Sequence, residues 1–265
     1  MAQSTYSKPV ALITGASSGI GATYADRLAK RGYDLVLVAR DSKRMETLAA
    51  SLRDAFGVSI DILPADLTNH ADLLRVEEYL RSHPAISLLV NNAGASLPGG
   101  FETSDADAID HLIRLNVTLV ARLSRVALEG LLHHKNGAII NISSVMALAP
   151  ELNAAVYSAT KAFVLTFSQT LQCELAQSGL YVQAVLPAAT RTEIWERSGR
   201  SLDDLPGLME VDDLVDAALI GFDRKEKITI PPLQDATQWE DFETARRNML
   251  PGFAQAHPGK RYNAE

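Results

Sequence analysis

The sequence predicts an α/β fold, a doubly wound parallel sheet of about seven strands with helices on both faces. Three observations carry this. Short apolar runs alternate with longer amphipathic segments along most of the chain, the pattern of strands joined by helical crossovers. The short runs are apolar at successive positions, as strands buried on both faces are. The first run leads through a glycine-rich turn straight into a helix, the arrangement found at the ligand-bearing end of such sheets.

The elements follow in order. Strands are expected at 10–14, 35–38, 59–63, 86–90, 138–142, 181–186 and 227–230. Between them, helices are expected from the first glycine turn to about residue 30, then at 42–55, 70–81, 106–132, 153–178 and 211–222. Gly32 and Gly179 are stop signals, and Pro64 closes the third strand. Residues 193–210 mix apolar side chains with Gly199 and Gly207, as a substrate lid would, although plain surface packing gives the same pattern. No linker or repeat interrupts the chain, so 1–265 is read as one domain. Within it, 8–192 form the core, and a helix, last strand and tail occupy 211–265.

Composition removes several function classes. A chain of 265 residues with 47% hydrophobic and 22% charged residues has ample material for a core. Its formal charge of −7 argues against nucleic acid or an anionic membrane as partner. The single cysteine, Cys173, excludes an intrachain disulfide and points to a reducing, cytoplasmic setting. Placed among apolar residues of a predicted helix, it is expected to be a buried, inert thiol. Residues 1–8 show no secretory signal, and no apolar segment is long enough to span a membrane. The six histidines, His133 and His134 among them, lack metal-ligand spacing, so no metal is expected.

Two stretches carry chemistry. Gly15, Gly19 and Gly21 form G-x-x-x-G-x-G after the first strand. Glycines let backbone approach a pyrophosphate, whose charge is stabilised by amides at the helix N-terminus. The spacing differs from the commonest Rossmann fingerprint, yet its place in the chain points to a dinucleotide. Tyr157 and Lys161 lie four residues apart on one predicted helical face, separated by about 6 Å of rise. A free phenol ionises near pH ~10, and a cation one turn away lowers that value toward the range useful for acid–base catalysis. Ser144, thirteen residues before Tyr157, closes an uncharged β-rich run and offers a hydroxyl. Tyr–Lys pairs at this spacing also occur on surface helices that do no chemistry, so the pair is informative only in context.

That context is a resemblance. The run Thr14-Gly15-Ala16-Ser17-Ser18-Gly19-Ile20-Gly21, then Asn91-Asn92-Ala93-Gly94, then Ser144 with Tyr157-x-x-x-Lys161 together resemble the short-chain dehydrogenase/reductase family over 8–192. The resemblance implies a Rossmann-type fold and an enzyme interconverting a ketone or aldehyde and an alcohol by hydride transfer. It makes Tyr157 the acid in reduction and the base in oxidation, and has Ser144 fix the substrate oxygen. Lys161 would bind the nicotinamide ribose and lower the tyrosine pKa. Asn116 would kink its helix and organise a water behind Lys161. Ser143 is the alternative serine, but only Ser144 has the family's interval to Tyr157. On the cofactor side the resemblance implies Gly15, Ser17, Ser18, Gly19, Ile20 and Gly21 at the pyrophosphate, and Asp66 and Leu67 at the adenine. The backbone of Asn91, Asn92, Ala93 and Gly94 would line the cofactor. Pro187, Ala189, Thr190 and Thr192 would lie at the carboxamide or the phosphates. Ala147 and Ala188 stand where the family usually has glycine.

An acid at the end of the second strand would bind the adenosine ribose and repel a 2′-phosphate. Here that position is Ala39, followed by Arg40, with Lys43 and Arg44 opening the next helix. A guanidinium grips a phosphate with paired hydrogen bonds, so NADP(H) is expected. NAD(H) is the alternative if these are ordinary surface cations. Leu97, Met146, Leu148, Leu152 and Trp195 suggest an apolar wall for a small-molecule substrate with a hydrophobic body. The tail past Pro231 and Pro232 lacks the family's glycine-rich ending, leaving a homodimer through 106–132 and 153–178, or a homotetramer, as the expected assembly. The rival from another class is a non-catalytic NADP(H) sensor, and the complete Asn116, Ser144, Tyr157 and Lys161 set argues against it.

Overall fold

A computed structural model describes residues 8–193 and 207–262. Strands β1 (Val10–Thr14), β2 (Asp34–Ala39), β3 (Ile60–Pro64), β4 (Ile86–Asn91), β5 (Ala138–Ile142), β6 (Tyr181–Val185) and β7 (Ile228–Thr229) form one sheet. Its order is β3-β2-β1-β4-β5-β6-β7, and every pairing is parallel. The chain therefore winds outward from β1 in both directions, and the switch lies between β1 and β4. Ligands in such sheets bind beyond the strand carboxyl ends at this switch.

The crossovers are α1 (Gly19–Lys30), α2 (Ser42–Phe56), α3 (His70–Ser82), α4 (Ala106–Ile113), α5 (Leu119–Leu131), α6 (Ala155–Glu174) and α7 (Val211–Asp223). Two hydrophobic clusters, one for each face, hold them to the sheet. Ile13, Leu37, Leu88 and Ile140 pack with Tyr24 and Leu28 of α1 and Leu219 of α7. Leu12, Val36, Leu89 and Ile139 pack with Val76 of α3 and Leu123 of α5. Successive strand residues thus enter opposite cores, which is why the runs read as continuously apolar.

Three expectations are corrected. The helix expected at 106–132 contains a π-helical segment at Arg114–Thr118 that separates α4 from α5. Helix α6 starts two residues later and ends four earlier than the expected 153–178. Asn153 adopts a positive φ of 55°, which is incompatible with continuing the helix backward. Cys173 is exposed, because it lies at the C-terminal end of α6, on the face turned away from the sheet.

By contacts the chain divides into two compact units, Met1–Pro231 and Pro232–Glu265. The second contains a helix absent from the sequence expectations, α8 (Thr237–Asn248). Asp235 accepts from the Thr237 amide and hydroxyl just before it. No residue of α8 is buried, and only Trp239, Phe242 and Ala245 of its twelve residues are apolar, too thin a stripe to mark a helix beside the others. Among the described residues no helix is long and apolar enough to cross a membrane, and none of the His, Cys, Asp and Glu side chains group as a metal site.

Candidate active site

The glycine turn joins β1 to α1. Gly15 and Gly19 have φ of 66° and 52°, a region costly for any residue with a Cβ. Contact also demands glycine. A Cβ on Gly21 would overlap the Gly15 carbonyl oxygen and lie 2.5 Å from Asn92 Nδ2. Asn92 holds this crossing by donating to the carbonyls of Thr14 and Gly15, at 2.8 and 3.3 Å. The Thr14 hydroxyl accepts from the amides of Asn92 and Ala93. Helix α1 starts at Gly19, and its N-cap Ser18 makes no side-chain capping bond. No acid lies in its first turn, so the dipole and free amides there suit an anion. Asn92 thus has a structural task that the motif alone does not reveal.

Beside it, Asn91, the last residue of β4, is paired in register with Asn141, the penultimate residue of β5. Asn91 Nδ2 donates to Asn141 Oδ1 and to Ser124 Oγ, while Asn141 Nδ2 donates to Ser168 Oγ. This buried chain ties α5 and α6 to the sheet below the site. Such groups are costly to bury unless paired, so their pairing fixes helix positions. Sequence reasoning assigned Asn91 backbone to the cofactor and missed this role. The available signal was an Asn at matching positions of two adjacent apolar strands.

Asn116 lies within the π-helical segment and is buried. Its Oδ1 accepts from the Ala95 amide at 3.0 Å, and its Nδ2 donates to Ala95 O and Thr160 Oγ1 at 2.9 and 3.1 Å. The extra residue in that turn pushes Asn116 toward the loop after β4, where π-bulges often serve function. A Cβ on Gly94 would meet Asn116 Oδ1 at 3.2 Å and Lys161 Nζ at 3.5 Å. Gly94, Asn116 and Lys161 therefore meet at one point.

Ser143 and Ser144 separate by function. Ser143 Oγ donates to the Lys161 carbonyl at 2.8 Å, which anchors α6. Ser144 Oγ lies close enough to Tyr157 that its hydroxyl lowers the phenol pKa. Burial acts more strongly and pushes Tyr157 up to about 12. Lys161 Nζ lies 5.7 Å from the Tyr157 ring centroid and donates to the Ile142 carbonyl at 2.9 Å, and burial brings it down to about 8. The expectation that Lys161 draws Tyr157 below its ordinary value is thus corrected. The ammonium engages a backbone carbonyl, and burial of the phenol is the largest influence on its pKa.

At the other end, Arg40 and Arg44 are exposed. Arg40 acts electrostatically on Asp66, whose carboxylate is held below its usual range first by the Thr68 hydroxyl. Leu67 is buried beneath it. Arg44 pairs with Glu193 through Nη1, at 2.6 and 2.8 Å. After β6, Ala188 has no positive φ, so an alanine fits this turn without strain. Ser144 Oγ donates to the Pro187 carbonyl at 3.3 Å. Backbone bonds from Arg191 to Met209 and from Met209 to Ala189, both 2.9 Å, close the base of the expected lid beside Thr190. The Thr192 methyl would lie 3.2 Å from a Cβ on Gly19, so this segment crosses the glycine turn. Lid residues 194–206, with Trp195, lie outside the described residues.

A cavity of about 730 Å³ is lined mainly by Phe101, Glu102, Met146, Ala147, Pro150, Ala155, Ser158 and Ala162, and so takes in Ser158, the chain neighbour of Tyr157, and Met146, two residues after Ser144. Of the predicted apolar wall, Met146 lines it. Leu97, Leu148 and Leu152 do not, and the last two are 36% and 52% exposed. The 3₁₀ turns at Val145–Ala147 and Pro150–Leu152 rotate the leucines outward. The apolar face comes instead from Ala155, Ala159 and Ala162 of α6, at i, i+4 and i+7, and from Phe101, which is remote in sequence.

Comparison with known proteins gives a consistent answer. The family described as short chain dehydrogenase matches residues 9–203. A short-chain dehydrogenase from Sphingobium yanoikuyae in complex with NADPH is 54% identical, with TM-score 0.94, covering 96% of this chain and 100% of that one. The bulky-bulky ketone specific alcohol dehydrogenase from Comamonas testosteroni is 49% identical, with TM-score 0.90, covering 98% and 100%. A very-long-chain 3-oxoacyl-CoA reductase of Anas platyrhynchos is 36% identical over 198 residues, 73% of this chain and 63% of that relative, so the match spans less than two thirds of its length. With the sheet order, the glycine turn and the Ser–Tyr–Lys cluster already in place, these matches show that the chain belongs to the short-chain dehydrogenase family.

Proposed function

We propose that this protein is an NADP(H)-dependent oxidoreductase that interconverts a ketone carrying bulky apolar groups and the corresponding secondary alcohol. The observation that carries the reading is the meeting of Ser144, Tyr157, Lys161 and Asn116 beyond the strand ends, beside a largely apolar cavity and next to the glycine turn. Gly15, Gly19 and Gly21 leave room for a pyrophosphate against α1, and the residues of this end of the sheet fit a nicotinamide dinucleotide. The nicotinamide, when bound, supplies or accepts the hydride.

The chain's own residues do the rest. Ser144 donates to the carbonyl oxygen and holds it against Tyr157. Tyr157 gives up its proton to that oxygen as the carbon is reduced, and takes one back in alcohol oxidation. Lys161 supplies positive charge as the phenolate forms and binds the nicotinamide ribose. Asn116 holds Ala95 and Thr160 around Lys161 and, by the family resemblance, organises the proton path behind it. Pro187, Ala189, Thr190 and Thr192 orient the nicotinamide, while Asp66 and Leu67 receive the adenine. The cavity volume lies in the range of small-molecule sites. Likeness to the bulky-bulky ketone specific alcohol dehydrogenase from Comamonas testosteroni supports a substrate with two bulky substituents. Exposed Ile113 on α4 and Phe163 on α6, the latter stacked on Phe167, support pairing of two copies through these helices. The single-domain reading of 1–265 belongs to this proposal.

Arg40 and Arg44 support NADP(H) as the cofactor. The test compares kcat/KM for NADPH and NADH on a panel of diaryl and alkyl aryl ketones, in wild type and Arg40→Ala. Wild type should prefer NADPH, and the variant should lose about tenfold or more of that preference, as for loss of one charged hydrogen-bonding partner of about 1.5–3 kcal/mol. An unchanged preference removes Arg40 from the pocket. Bound NADPH with no turnover on any ketone favours the sensor reading.

The two pKa directions set a pH dependence. A phenol near 12 stays protonated through neutral pH, so reduction has its proton available. Lys161 near 8 is cationic below that pH and neutral above it. Reductive kcat/KM should be flat below pH about 8 and fall above it. Oxidative kcat/KM should rise with pH, because the base form of Tyr157 becomes more populated. Profiles of both directions under saturating cofactor check this, and a reductive rate that climbs from pH 7 to 10 contradicts it.

A further inference from the structure

Glu193 directly follows the stretch from Pro187 to Thr192, at the nicotinamide end of the proposed site. Its carboxylate nevertheless reaches across the glycine turn to α2, at the adenosine end. Thr192 lies over Gly19, and the next residue places both carboxylate oxygens on Arg44 Nη1 at 2.6 and 2.8 Å. Arg44 is otherwise held from below. Its amide caps α2 on Asp41 Oδ1 at 3.0 Å, and its Nε lies 3.5 Å from Asp41 Oδ2. A guanidinium fixed by its own helix cap and covered by a carboxylate from another part of the chain is a preformed anion site with an anion already on it.

We propose that Glu193 is a cofactor-specificity residue. Its carboxylate occupies Arg44 as an internal competitor for the 2′-phosphate, which must displace it to reach the guanidinium. The inference rests on the reading that places Arg44 in the 2′-phosphate pocket. Two anions cannot share one fork at full strength, since a carboxylate left beside a phosphate repels it. NADPH binding therefore includes breaking the Arg44–Glu193 pair, whereas NADH, which lacks the phosphate, leaves the pair intact. The pair is half exposed, so its strength is that of surface ion pairs. Glu193 thus reduces the preference for NADPH by a modest factor.

The experiment is equilibrium binding of NADPH and NADH to the whole chain, followed by nicotinamide fluorescence, for wild type, Glu193→Gln, Arg44→Ala and the double variant. Glu193→Gln should tighten NADPH about two- to fivefold, the equivalent of one surface ion pair, and leave NADH unchanged. In the Arg44→Ala background the same substitution should have no effect on NADPH. Unchanged or weaker NADPH binding in Glu193→Gln overturns the proposal, as does equal tightening of both cofactors or a gain that persists without Arg44. If Arg44→Ala alone leaves NADPH binding intact, the pocket assignment itself fails, and the competition with it.

Discussion

Tyr157→Phe is expected to lower kcat for ketone reduction by about 10²–10⁴-fold, the usual contribution of a positioned general acid, while the affinity for NADPH is unchanged. The phenyl ring fills the same space on α6, so the substitution removes one hydroxyl and little packing. That hydroxyl is the group beside Ser144 placed to give a proton to the substrate oxygen. Its pKa of about 12 means that the wild-type acid is present across the neutral range. Removing Ser144 as well should cost much less than the product of the two single effects, since both act on one oxygen. Steady-state kinetics with NADPH, alongside direct binding of the cofactor and a thermal melt, separate chemistry from folding. Full turnover in a folded Tyr157→Phe protein that binds NADPH would falsify the proposed mechanism.

Gly21→Ala should act on a different link, the architecture that carries the cofactor. The added methyl overlaps the Gly15 carbonyl and presses on Asn92 Nδ2, both already committed to holding β1 against the loop after β4. The first is backbone and the second is held by its bonds to the Thr14 and Gly15 carbonyls, so the turn itself must move. Overpacking of this kind costs about 1–3 kcal/mol, equivalent to roughly 2–12 °C in Tm for a unit of this size. The same displacement moves the amides of Gly19 and Ile20 away from where a pyrophosphate would sit. NADPH affinity should fall by an order of magnitude or more, a larger relative loss than in stability. Calorimetric Tm and cofactor titration measured on the same preparation check this. A variant with wild-type affinity would show that the close crossing at Gly21 does not shape the cofactor site.

Much of this was legible in the chain because the controlling signals are local. Strands buried on both faces need continuous apolar runs, and helices need one apolar stripe, so the elements from Val10 to Thr229 could be read in order. The turn from Gly15 to Gly21 was legible because backbone at φ near 60°, or in contact with another backbone, excludes side chains. Helix α8 was not legible, because a helix with no buried face needs only a thin apolar stripe, here Trp239, Phe242 and Ala245. The outward turn of Leu148 and Leu152 was hidden for a related reason. Their apolar character is the same in a cavity wall or in solvent, and the 3₁₀ turns alone decide which.

The sequence by itself determined the succession of strands and helices, the place of the glycine turn, and the residues Ser144, Tyr157 and Lys161 with the spacing that unites them. Spacing along a helix and steric need at a turn are properties of neighbouring residues. Only the tertiary structure decided the energetics at the site. Whether Lys161 lowers the Tyr157 pKa depends on distance and burial, and Ile142 and the surrounding core set both against it. Whether Arg44 stands open or is covered depends on Glu193, 149 residues away in the chain. Electrostatic strength follows separation and solvent access in space, and neither can be read from position in the sequence.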